Sequence, residues 1–111
     1  MDVKNVRNVI SLFVGDNMKI NITNHAMDRW VEYGQVRMRY TQLAAKVQKH
    51  FQAALLKGVR LRDNAVYVEI NKDLFAVLVP GDYYGWDVLT FRLKRNSPLR
   101  QFYYEKEEVV G

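Results

Sequence analysis

The chain has 111 residues, with 17 Lys and Arg against 12 Asp and Glu, two His and no Cys. That length suits one domain with its own core, and a composition that is 49% hydrophobic and 26% charged is that of a globular protein, not a disordered one. The absence of Cys excludes disulfides, thiol nucleophiles and thiolate metal sites, and it fits a reducing cytoplasmic setting. No apolar run approaches the ~20 residues of a membrane span, and the opening Met1–Asn8 lacks the apolar core of a secretory signal, so no membrane partner is expected.

In chain order, Val3, Val6, Ile10 and Phe13 fall at helical spacing and predict a first short helix, broken at Gly15-Asp16-Asn17. Lys19–Ile22 reads as a brief extended stretch. Thr23 or Asn24 then caps a helix that runs to Tyr33, with Gly34 behind it. Ala26, Met27, Trp30, Val31 and Tyr33 share one arc of that helix, and His25, Asp28, Arg29 and Glu32 share the other. A longer helix is predicted from Thr41 to Gly58, with Leu43, Ala44, Val47, Phe51, Ala54 and Leu55 as its core stripe. Gln42, Lys46, Lys49 and Lys57 line its other side, and His50 sits at a boundary.

From Val59 the period changes to two, and Asp63-Asn64 reads as a hairpin turn. Ala65–Ile70 alternates, with Val66, Val68 and Ile70 on one face and Tyr67 and Glu69 on the other. Leu74–Val79 is apolar throughout, as a strand covered on both faces would be. After Pro80–Gly85, Asp87–Lys94 predicts a last strand with Leu89, Phe91 and Leu93 inward and Thr90, Arg92 and Lys94 outward. The expected architecture is therefore α+β: two to three helices on one face of a four-stranded antiparallel meander. Residues 1–111 form one domain in this reading, with 1–17 and 96–111 peripheral.

The charge is uneven. Residues 1–58 carry nine bases and four acids, whereas residues 59–111 carry eight of each. No acid lies between Tyr33 and Arg62, a stretch with seven bases, and the open sheet face is expected to show Arg60, Arg62, Tyr67, Thr90, Arg92 and Lys94. Clustered Lys and Arg with an interleaved Tyr point to a polyanion, so RNA or another nucleic acid is the expected partner. Lys46, Lys49, Arg60, Arg62, Tyr67 and Lys94 are the candidate binding residues. Glu105, Glu107 and Glu108 turn the tail acidic.

The segment Ile22-Thr23-Asn24-His25-Ala26-Met27-Asp28-Arg29-Trp30, together with Val77-Leu78-Val79-Pro80 and Val88-Leu89-Thr90-Phe91-Arg92, resembles small bacterial and phage proteins related to the RelE-like and BrnT-like toxin ribonucleases. The likeness covers roughly residues 18–95. Where such proteins often carry a second Arg after the His-Ala-x-x-Arg helix, this chain has Glu32-Tyr33-Gly34. The resemblance implies a RelE-like fold, metal-independent RNA cleavage and an antitoxin as protein partner. It gives His25 a role in proton transfer, and Arg29 and Arg92 roles at the phosphate. Tyr67 or Tyr83 would stack on a base or assist proton transfer. No Gly-rich phosphate loop or paired metal-spaced carboxylates occur, so no cofactor is expected. A second function class stays open at this level: a small phage-type inhibitor or adaptor that binds a nucleic-acid-processing host enzyme without catalysis.

Overall fold

The structure is a computed structural model that describes residues 19–58, 61–82 and 85–103. The predicted helix over 3–13, Arg60, Tyr83 and the acidic tail lie outside the described residues.

Strand β1 (Ile20–Ile22) leads straight into helix α1 (Asn24–Glu32), followed by helix α2 (Tyr40–Lys57). Strands β2 (Leu61–Arg62), β3 (Ala65–Glu69), β4 (Leu74–Pro80) and β5 (Trp86–Leu93) complete a five-stranded sheet in the order β1-β5-β4-β3-β2. The class is α+β. The sheet departs from the expected four-stranded antiparallel meander, because β1 joins β5 in parallel through Ile20↔Trp86 and Ile22↔Val88. Three residues give no periodic signal of their own. What holds them is long-range: Trp86 N–H donates to the Lys19 carbonyl at 2.8 Å and Thr23 Oγ1 donates to the Val88 carbonyl at 2.8 Å.

Thr23 also begins α1, its side chain accepting the Ala26 N–H at 3.1 Å. Gly34 follows the helix at φ 70°, a conformation that glycine adopts without a Cβ clash, and its N–H reaches the Val31 carbonyl at 3.0 Å. At the start of α2 the Gln42 side chain accepts the Arg39 N–H at 3.0 Å. The Tyr40 hydroxyl donates to Asn24 Oδ1 at 3.0 Å, joining the starts of the two helices. No helix among the described residues is long and apolar enough to cross a membrane.

Both helices cover one face of the sheet. Ala26 and Trp30 of α1 and Leu43, Val47 and Phe51 of α2 are buried against Val66, Val68, Leu74, Ala76, Leu78, Val88, Phe91 and Leu93. Trp30 meets Phe91 with ring centroids 5.1 Å apart, and Phe51 meets Trp86 edge-on at 5.0 Å. Val31, expected on the buried arc, is 45% exposed, so the core-facing stripe is Ala26, Met27 and Trp30 of α1 with Tyr33 just behind it.

The predicted turn at Asp63-Asn64 is present, with φ of 53° and 63° at the two positions. Two consecutive left-handed residues are what a two-residue hairpin of matching twist requires. Val88, not Leu89, points into the core. Leu78 pairs with Val88 while Val77 pairs with Thr90, so Leu89 is an extra residue in the ladder and is left exposed. The bulge shifts the phase of alternation by one, and Phe91 and Leu93 return to the buried face.

Residues 97–103, expected to be peripheral, are docked. Ser97 is buried; its hydroxyl donates to Asp73 Oδ1 at 2.7 Å and accepts the Leu99 N–H at 3.1 Å. Pro98 then opens a helical segment over 98–103. Leu99 and Tyr103 of this segment pack on the core, Tyr103 edge-on to Tyr33 at 5.3 Å.

Candidate functional site

Helix α2 packs against both β1 and β3, and its C-terminal half stands beside β3. A groove of about 920 Å³ opens there. His50, Ala53, Ala54 and Lys57 supply its helix wall, and Arg62, Tyr67, Glu69 and Phe75 supply its sheet side. Ala53 and Ala54 leave the width; a longer side chain at either position would fill it. A second, shallower depression of about 600 Å³ lies on the other side of His50, lined by Val36, Arg37, Met38, Gln42, Lys46 and Lys49. The two share the His50 side chain.

The groove is not uniformly basic. Glu69 forms an ion pair with Lys94, whose ammonium also lies 5.4 Å from the centre of the Phe75 ring. Lys94 is nearly covered while Glu69 is mostly exposed, so the carboxylate is the accessible half of the pair. Among the described residues, Lys46, Lys49, Lys57 and Arg62 form no ion pair. Burial first, then the neighbouring Lys46 and Lys49, hold the His50 imidazole below its ordinary value, and Glu69 acts in the opposite direction.

The residues singled out from sequence divide into three groups. Arg62 and Tyr67 line the main groove and Lys46 and Lys49 the second depression. Lys94 stands behind Glu69, its ammonium already committed. The expected nucleolytic set is not gathered on one surface. His25 is exposed on α1, and Arg29 beside it pairs with Glu32 at 2.9 Å. Arg92 projects from the face of β5 opposite Phe91, and Phe91 faces the Trp30 side of α1. Strand β5 therefore separates Arg92 from the surface that carries His25.

His50 and Phe75 enter the site without having been singled out. For His50 the sequence did hold a signal, since a boundary position on a helix stripe is where a helix meets the rim of the sheet beneath it. For Phe75, an apolar strand that reads as covered on both faces concealed which ring would reach a groove. Compared with known protein families, characterised proteins and solved structures, the chain matches none.

Proposed function

We propose that the protein binds nucleic acid through the basic side of α2 and the adjoining groove. One observation carries the reading: Lys46, Lys49, Lys57 and Arg62, none paired among the described residues, line two depressions along one helix, with Tyr67 and Phe75 at the wider one. Lys and Arg free of acidic partners take up phosphates with release of counterions, and aromatic rings at a groove offer a surface for unstacked bases. Kinship with the RelE-like and BrnT-like ribonucleases is part of the same proposal, supported by the His-Ala-x-x-Arg segment and by the packing of two helices on one face of an α+β sheet. The reading stops at binding, because His25, Arg29 and Arg92 do not converge.

The test is a titration of labelled single-stranded RNA with the full chain at low salt, followed by anisotropy. Binding should weaken steeply with added salt. Replacing Lys57 and Arg62 together with Ala should weaken it further and flatten the salt slope. Absence of binding at low salt would overturn the proposal.

A further inference from the structure

Among the described residues, His50 is the one common to both depressions. It occupies the middle of a row on α2 formed by Lys46, His50, Ala53 and Lys57, spaced four, three and four residues apart, so that all four share one helix face. At ~1.5 Å per residue, Lys46 to Lys57 spans about 16 Å, enough for a few nucleotides laid along the helix.

We propose that the two depressions form one continuous track for a phosphodiester chain, with His50 at its centre as a ligand that takes up a proton when the chain binds. The proposal rests on the nucleic-acid reading above and adds the path of the chain and its control by pH.

The groups around His50 set the direction. Lys46 and Lys49 flank it on its own helix, and Lys57 follows in the same row. Glu69 and Tyr67 face it from β3, Arg62 from β2, and Arg37 from the connection between the helices; Lys94 is held in its pair with Glu69. In the free protein, burial and the lysines favour neutral imidazole. A phosphate held by Lys46, Lys49 or Lys57 cancels their charge and sets a negative oxygen near the ring. Both changes favour imidazolium, whose two N–H groups then donate to the chain. Since the bound state holds the proton more tightly than the free state, linkage requires affinity to rise as pH falls through the interval between the two values.

The experiment uses the full chain and a fluorescein-labelled single-stranded oligothymidylate at fixed low ionic strength. Affinity should tighten about tenfold between about pH 7.5 and about pH 5.5, the factor carried by one unit of difference between free and bound histidine. Calorimetry in two buffers of different ionisation enthalpy should register proton uptake. His50→Gln should lose most of the dependence, whatever its affinity at the upper pH, whereas His25→Gln should keep it. If the dependence is absent, or persists in His50→Gln, the inference falls while the nucleic-acid reading stands. If the oligonucleotide does not bind at any pH, both fall. Should His50→Gln fail to fold, an NMR titration of the parent imidazole with and without oligothymidylate decides, since the inference requires its midpoint to rise on binding.

Discussion

Glu69 on β3 faces His50 on α2 across the groove while its carboxylate holds Lys94, so among the described residues of the site a single acid offsets its basic character. Glu69→Gln keeps the size of the side chain and removes that charge. Binding of single-stranded RNA should tighten about threefold to tenfold, the effect of removing one like charge near a phosphate in partly screened surroundings. This is the one groove substitution expected to strengthen binding. Weaker binding in an anisotropy titration would show that phosphates do not approach β3.

The lowered imidazole of His50 also affects stability. Its folded-state value lies below the unfolded one, so between the two the unfolded chain binds more protons and stability falls as pH falls. Denaturant unfolding of the free protein should therefore lose stability on acidification below about pH 6.5, the unfolded value for His. In His50→Gln that loss should be smaller. An equal loss in both would place the effect on other groups.

The contact between Trp30 and Phe91, ring centroids 5.1 Å apart, joins α1 to β5 in the middle of the core. Trp30→Ala should cost about 3–5 kcal/mol, the usual range for removing a fully buried aromatic. Its indole N–H also donates to the Val36 carbonyl at 2.7 Å, so the connection to α2 would lose an anchor as well. Urea unfolding monitored by circular dichroism measures this directly.

Ser97 both starts the C-terminal helical segment and holds Asp73. Ser97→Ala should destabilise the fold by about 1–2 kcal/mol, the range for losing a cap and a partly buried hydrogen bond. Amide exchange should show the extra opening in residues 99–103, with α2 protected as before. A uniform loss of protection would mean that the segment is not a separate unit.

Arg92 pairs with Phe75 across β4 and β5 and so shares the sheet face of the groove-lining Tyr67, Glu69 and Phe75. Arg92→Ala should therefore weaken RNA binding about twofold to fivefold, the loss of one cation beside the site. An unchanged affinity in anisotropy would confine the interface to the side of the groove formed by α2.

Much of the fold was legible because it depends on local rules. Thr23 caps α1, Gly34 and Gly58 follow the two helices, Asp63-Asn64 makes the hairpin turn, and Val66, Val68 and Ile70 point to one side of β3 as alternation demands. The Ser97-Pro98 pair carries the same kind of local signal for a helix start, ahead of an acidic stretch. The site was less legible. Lys46, Lys49, Arg62 and Tyr67 do border the depressions, whereas Lys94 is taken up by Glu69 and Arg92 stands beside Phe75, on the face of β5 away from His25 and α1.

By itself, then, the sequence determined the class of the elements, most of their boundaries, and a +5 charge concentrated in the helical half. Only the tertiary structure decided that β1 pairs with β5 in parallel, that Leu89 is expelled by a bulge, and that His50 stands between two basic depressions. The physical reason is range. Capping, turn geometry and alternation act over a few residues and leave their mark in the local pattern. Strand register and the approach of a helix to a sheet depend on residues tens of positions apart, whose meeting no local pattern records.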